Sequence, residues 1–189
     1  TRQQIGDEPA AHGGQQMNAP LLNASLVRLI KRMDAAVIAP ADDLPPLVTA
    51  AIGESVAQPD WLTPEQCRAS HDHYTRHVLH GDPDGRYTIV AIVWGPRQRS
   101  PIHAHHTWCG VGVYRGKINE ALYHENADGG PPVLSNITVR GAGTLSFDQP
   151  NDGIHRIANN EADPAVSIHI YGVDRARITS GVNRVLGWA

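Results

Sequence analysis

The second half of the chain, after Gly81, consists of short apolar segments that alternate with turns. It begins with YTIVAIVW at residues 87–94, a largely β-branched run that is typical of a strand buried on both faces. Five further short segments follow, at residues 111–114, 118–123, 133–139, 144–147 and 166–171. Glycine, proline and Asn-Asp-Gly turn signals separate them. Many short strands with such turns predict a mainly β fold, a small antiparallel barrel or jelly roll.

The first part of the chain has a helical pattern instead. Residues 1–20 are polar and rich in Gly and Gln, which predicts a disordered lead-in, with Met17 as a candidate natural start. Apolar residues at helical spacing predict helices over residues 21–37 and 47–57. Thr63 followed by Pro64 is a helix-start signal and predicts a third helix. We therefore expect a single domain over residues 21–189, with an N-terminal helical segment over residues 21–80.

Composition narrows the classes of function. The 189 residues have a formal net charge of −3, so the chain lacks the basic surface that nucleic-acid binding needs. No apolar run reaches the about 20 residues that a membrane-spanning helix requires. The two cysteines are too few for a disulfide scaffold, and this favours a reducing, cytoplasmic compartment. We expect neither a nucleic-acid partner nor a membrane.

Histidine is the abundant functional residue, with 11 in the chain. His103 and His105 stand two residues apart, and on a strand they point to the same face. His155 follows the turn that ends at Gly153, and it is a candidate third ligand. A bare His-x-His pair is more often structural than metal-binding, so the interpretation depends on the surrounding residues.

Those surroundings resemble the cupin superfamily. Gly95, seven residues, then His103-x-His105 and a later Gly116 resemble the first cupin motif. The segment from Gly143 to Asn159, with Pro150-x-x-Gly153-x-His155, resembles the second. This resemblance implies a small β-barrel, preceded here by N-terminal helices, with one metal inside it.

One departure from the usual cupin pattern is informative. The glutamate expected four or five residues after the second histidine is absent, because Cys109 and Gly110 occupy those positions. Glu120 comes too late in the sequence to replace it. The ligands would then be three neutral imidazoles, which leave the full charge of a divalent ion to attract an anion such as a thiolate.

A ligand set without glutamate is similar to that of the thiol dioxygenases, the cysteine dioxygenase family. The resemblance runs from Tyr74-Thr75-Arg76 to Ser167-x-His169-x-Tyr171. It implies Fe(II) bound by His103, His105 and His155, and a hydrogen-bonded relay of Ser167, His169 and Tyr171. The implied reaction adds both atoms of O₂ to the sulfur of a small thiol carboxylic acid and gives the sulfinate. A non-catalytic metal-binding cupin sensor, or another cupin enzyme, remains the alternative.

Arg76 matches the position at which family members carry an arginine or a glutamine that meets the substrate carboxylate. The neighbouring residues look more like the bacterial 3-mercaptopropionate type, which usually carries glutamine there. L-cysteine, 3-mercaptopropionate and mercaptosuccinate all stay open as substrates, and so does the oligomeric state. Mammalian relatives have a cysteine, cross-linked to the relay tyrosine, at the position of Gly110. We expect Cys109 to face away from Tyr171 and no such thioether to form.

A second histidine cluster competes with the first. His73, His77 and His80 have the spacing of one helical face on the predicted third helix, and His71 lies close by. A surface metal site there is conceivable, but a polar helix face is the simpler interpretation. We expect His106 and His124 to be structural.

Overall fold

The structure is a computed structural model that describes residues 23–187. The predicted lead-in and Met17 lie outside these residues, as does the start of the first predicted helix. Two α-helices precede the strands: α1 (Ala24–Ala36) and α2 (Leu44–Val56). Ten strands follow: β1 (Thr75–Gly81), β2 (Thr88–Trp94), β3 (Ile102–His105), β4 (Cys109–Arg115), β5 (Lys117–His124), β6 (Val133–Gly141), β7 (Leu145–Asp148), β8 (Ile154–Ala158), β9 (Ala165–Tyr171) and β10 (Asn183–Gly187).

The strands form two five-stranded antiparallel sheets. The first has the order β1-β2-β9-β4-β7 and the second has the order β10-β3-β8-β5-β6. Alternate side chains of β2, β4 and β9 form an apolar interior, which includes Val90, Val111 and Tyr171. Side chains on the other face of these strands, such as those of Ile168 and Ile170, pack in a separate core with the helices. The fold is the mainly β cupin that the sequence predicts, a double-stranded β-helix with N-terminal helices.

Helix α2 packs closely against the outer face of the first sheet because two glycines leave room for it. A Cβ atom at Gly110 would overlap Val48 and Ile52, and one at Gly112 would overlap Ile52. Even positions of β4 therefore face the helix, whereas Cys109, Val111 and Val113 face the interior. This parity decides which residues of β4 can reach the site.

Replacing Gly112 by leucine is expected to lower the free energy of unfolding by about 2 kcal/mol, because the added side chain overpacks the contact with α2. Urea denaturation measures the change. Gly141→Ala is the matched control, because no heavy atom lies within 4 Å of a Cβ atom built there. An unchanged stability of Gly112→Leu would contradict the close packing described here.

The predicted third helix is wrong, and with it the helical assignment of residues up to 80. Thr63 and Gln66 form a reciprocal pair of hydrogen bonds, but only one 3₁₀ turn follows, at Glu65–Cys67. The next segment is β1, an edge strand paired along its length with the apolar strand β2. Tertiary pairing overrides the local pattern here, because β2 offers a free edge that an adjacent strand can occupy. β10 was not predicted.

Among residues 23–187, the structure has no helix that is long and apolar enough to cross a membrane.

Candidate active site

His103, His105 and His155 lie together inside the barrel. β3 and β8 are neighbours in the second sheet, and His103 stands directly opposite His155. One ligand nitrogen from each imidazole lies within 4.8 Å of the others, and all three residues are buried. The structure thus brings together the three histidines that the sequence singles out as metal ligands. Their role as ligands remains a prediction.

Hydrogen bonds orient two of these imidazoles by their Nδ1 atoms. The Nδ1 atom of His103 lies 3.0 Å from the carbonyl oxygen of Pro101. The Nδ1 atom of His155 lies 2.9 Å from a carboxylate oxygen of Glu120, and that of His105 lies 3.7 Å from Asp148. With Nδ1 as the donor, Nε2 of His103 and of His155 is left as a lone-pair ligand, whereas Nδ1 of His105 has no hydrogen-bond partner among the described residues.

The three residues fit a bound metal ion. The Nε2 atom of His155 is buried, and none of the described residues forms a hydrogen bond with it. A buried polar atom without a partner is costly, and a metal ion would satisfy it. Burial, reinforced by the neighbouring imidazoles, lowers the pKa of His103 to about 3 and that of His105 to about 2. Both rings are therefore neutral at physiological pH, as metal ligation requires.

Glu120 is a functional residue that sequence reasoning missed. It is only 3% exposed, and it forms an ion pair with Arg140 as well as the hydrogen bond to His155. Burial raises the pKa of Glu120, but the contacts with His155 and Arg140 outweigh this effect and the net pKa is lowered. β5 places Glu120 beside β8, a pairing between residues distant in sequence that no local pattern reveals.

Replacing Glu120 by glutamine is expected to weaken metal binding by about 10- to 100-fold, because the carboxylate that orients His155 is lost. Competition with a chromophoric chelator measures the affinity. Glu125→Gln is the control, since Glu125 is exposed and pairs only with Arg184 among the described residues. Equal affinities of the two variants would show that Glu120 does not support the site.

Ser167, His169 and Tyr171 form a hydrogen-bonded chain on β9. The Ser167 hydroxyl lies 2.8 Å from Nε2 of His169, and the Tyr171 hydroxyl lies 3.1 Å from its Nδ1 atom. Trp94 donates from its indole N–H to the Ser167 hydroxyl at 2.9 Å. The ring centroid of Tyr171 is 5.7 Å from that of His105. The chain, on the first sheet, therefore ends at the histidines of the second.

Cys109 does not face away from Tyr171 as expected. It stands directly opposite Tyr171 in the pairing of β4 with β9, and its Sγ atom lies 4.0 Å from Nδ1 of His169. The expectation was wrong because it assigned the two faces of β4 the wrong way round. Gly110 faces helix α2, whereas Cys109 faces the interior. Burial raises the pKa of the Cys109 thiol. The orientation of Cys109 is therefore no longer a reason to expect that no thioether forms. The absence of a thioether stays a prediction, which peptide mapping can test.

Arg76 is exposed on β1 at the mouth of a cavity that the three histidines and Tyr171 also line. Its guanidinium donates to the Tyr74 hydroxyl at 3.1 Å, and the Tyr74 ring stacks on Trp94. No ion pair of Arg76 with an acidic side chain occurs among residues 23–187. The guanidinium is thus open to an anionic ligand.

The competing histidine cluster does not form a helical face. His77 and His80 lie on β1 and His73 precedes it. The only group of metal-binding side chains found in the described part of the chain is His103, His105 and His155.

The chain matches a known protein family. The family model described as cysteine dioxygenase type I matches residues 47–178, which is more than half of the chain. The match includes every residue predicted to act in the site.

Several solved structures are similar at low identity. A Klebsiella pneumoniae protein with a double-stranded β-helix domain is 19% identical, with a TM-score of 0.47, over 66% of this chain and 93% of that chain. A cupin 2 conserved barrel domain protein from Salinispora arenicola is 17% identical, with a TM-score of 0.44, over 62% of this chain and 89% of its own. The polyketide cyclase RemF from Streptomyces resistomycificus is 17% identical, with a TM-score of 0.46, over 62% of this chain and 74% of that chain.

Proposed function

Because the chain belongs to the cysteine dioxygenase type I family, we propose that it is an Fe(II)-dependent thiol dioxygenase. Its substrate is a small thiol carboxylic acid. The reaction consumes one thiol and one O₂ and yields one sulfinic acid, so that the sulfur is oxidised, O₂ is reduced and no further reductant is needed. L-cysteine, 3-mercaptopropionate and mercaptosuccinate all have the required thiol and carboxylate.

The observation that carries the proposal is the placement of three different groups around one cavity. His103, His105 and His155 offer three nitrogen ligands on one side. The Tyr171 hydroxyl ends the relay on the other side, and Arg76 lies at the mouth. A metal site, a buried hydroxyl and an unpaired cation suit a substrate that has both a thiolate and a carboxylate.

An Fe(II) ion held by the three histidines would supply the position at which the substrate thiolate and O₂ meet. Three uncharged ligands do not reduce its charge, which favours an anionic sulfur. The protein contributes the orientation of two imidazoles through Pro101 and Glu120, and it buries all three rings.

Arg76 binds the carboxylate of the substrate. A guanidinium presents paired N–H donors in one plane, which matches the two oxygens of a carboxylate. The hydrogen bond to Tyr74 and the stacking of Tyr74 on Trp94 hold the arginine near the cavity. The distance between the carboxylate and the thiol then selects acids of short chain length.

The relay orients the Tyr171 hydroxyl. Burial lowers the pKa of His169 to about 3, so its ring is neutral and carries a single N–H. Ser167 accepts from Trp94, and we assign its own hydrogen to Nε2 of His169, an assignment that places the ring N–H at Nδ1. In this tautomer that N–H donates to the Tyr171 oxygen, and the Tyr171 O–H is left to donate, to the Cys109 sulfur or to a ligand in the cavity. Burial also raises the pKa of Tyr171, which keeps this hydroxyl protonated.

Oxygen uptake by the iron-loaded protein tests the proposal. Each of the three thiol acids is added in turn, and O₂ consumption and sulfinate formation are measured together. We expect at least one acid to give equal amounts of O₂ consumed and sulfinate formed. If iron binds but no thiol stimulates uptake, the protein is a non-catalytic cupin or a different cupin enzyme, and the proposal is wrong.

Arg76→Gln is expected to raise the KM for thiol acids by about tenfold or more, because an uncharged amide replaces the ionic partner of the carboxylate. Cysteamine, which has no carboxylate, is the matched control substrate. Any turnover of cysteamine should be unchanged by the substitution. An equal loss with both kinds of thiol would mean that Arg76 does not recognise the carboxylate.

A further inference from the structure

Asn183, on β10, is a polar residue of the cavity that neither the sequence motifs nor the proposed reaction uses. It stands directly opposite His105 in the pairing of β10 with β3, so the two side chains lie on the same side of the sheet. It lines the same cavity as the three histidines and Arg76. Its side chain is therefore placed to contact a ligand bound in this cavity.

The carboxamide oxygen of Asn183 has no partner. It is buried, and none of the described residues forms a hydrogen bond with it. Leaving a buried acceptor unpaired is unfavourable, so this oxygen is suited to receive a hydrogen bond from a ligand.

Among the described residues, the other side-chain acceptors that line the cavity are already engaged. The Tyr74 hydroxyl accepts from Arg76, and Ser100 donates to the Pro101 carbonyl and accepts from the Ile157 N–H. Tyr171 is bound to His169, and the three remaining histidines face one another as a metal-binding group. No carboxylate lines this cavity among the described residues. Asn183 therefore offers the cavity's uncommitted acceptor in the described part of the chain.

We propose that Asn183 is a specificity-determining residue whose carboxamide oxygen accepts a hydrogen bond from a donor on the carbon next to the substrate carboxylate. This inference rests on the proposed function. With the carboxylate at Arg76 and the sulfur at the three histidines, the carbon between them carries the substituent that differs among thiol acids. An amino group at that carbon supplies an N–H for Asn183, whereas 3-mercaptopropionate leaves the acceptor unpaired.

The discrimination follows from the cost of an unpaired acceptor. A site built to pair with a polar group rejects an analogue that lacks the group, because its own buried atom then stays unsatisfied. L-cysteine and 3-mercaptopropionate differ only in the α-amino group, so they isolate this contact.

The test compares L-cysteine and 3-mercaptopropionate in the wild-type protein and in Asn183→Leu, which has a similar volume and no acceptor. Two quantities are measured: the ratio of kcat/KM values in the iron-loaded enzyme, and the ratio of dissociation constants by calorimetry without oxygen. We expect Asn183→Leu to shift both ratios about tenfold towards 3-mercaptopropionate, which is the effect of about one hydrogen bond. Asn183→Asp, which retains an acceptor and adds a negative charge, is expected to shift neither ratio towards 3-mercaptopropionate.

Asn119→Leu is the matched control. Asn119 also has a buried oxygen without a partner among the described residues, but it lies on β5 and does not line the cavity. We expect its two ratios to equal those of the wild type. The inference is overturned if Asn183→Leu leaves the ratios unchanged, or if Asn183→Asp shifts them as much as leucine does. If the wild-type protein neither binds nor oxidises any thiol acid, the proposed function itself has failed.

Discussion

Replacing His155 by alanine is expected to abolish stoichiometric metal binding. The variant loses one of the three predicted nitrogen ligands and one of the two partners of the buried Glu120 carboxylate, which keeps its ion pair with Arg140. Altering only the group that orients a ligand weakens metal binding about 10- to 100-fold, so loss of the ligand itself should weaken it by at least about 100-fold. Metal content after dialysis, measured by elemental analysis, should fall from one ion per chain to near zero. Thiol-dependent oxygen uptake should be lost with it.

His124→Ala is the control for this experiment, because His124 is exposed at the end of β5. It should retain the metal and the activity of the wild type. A thermal unfolding curve of each apo-protein separates loss of the metal from loss of the fold. If folded His155→Ala still binds one ion with wild-type affinity, His155 is not a ligand and the proposed site is wrong.

Replacing Tyr171 by phenylalanine is expected to lower kcat by about 100-fold and to leave metal content unchanged. Only one hydroxyl is removed, and it is the end of the relay that donates into the cavity. Removal of one well-placed donor to a reacting group commonly costs about 10²–10³ in kcat. The imidazole ligands and their hydrogen bonds to Pro101 and Glu120 are untouched, so the metal affinity should be that of the wild type.

Tyr123→Phe removes a hydroxyl outside this cavity and should behave as the wild type. Tyr123 lies on β5 and packs with a small apolar group on the second sheet. The decisive result for Tyr171→Phe is a lower kcat at an unchanged metal content. A parallel loss of metal and activity in Tyr171→Phe would assign the residue to the structure of the metal site rather than to the reaction.

Much of the candidate site could be predicted because side chains alternate between the two faces of a strand. Ser167, His169 and Tyr171 alternate on β9, and His103 and His105 alternate on β3, so each set faces one side. The apolar runs and turn residues likewise predicted β2, β5, β6 and β9 close to their observed bounds. These features are local, because strand parity and turn chemistry depend on residues close in sequence.

The features that were missed depend on contacts between distant residues. β1 has histidines at positions 77 and 80 that imitate a helical face, and only its pairing with β2 makes it a strand. Glu120 reaches His155 through the pairing of β5 with β8, which no local pattern predicts. Asp148, on β7 of the first sheet, approaches His105 on β3 of the second. Asn183 lies in the cavity because β10 pairs with β3, although its own segment has no distinctive pattern.

Oxidation of a thiol acid under ¹⁸O₂ by the iron-loaded protein tests the central claim most directly. The substrate is the thiol acid that gives the highest oxygen uptake, and the product is analysed by mass spectrometry. The account predicts a sulfinate in which both oxygen atoms carry the label. A product with one labelled atom, or a disulfide without label, would contradict the assignment of this chain as a thiol dioxygenase.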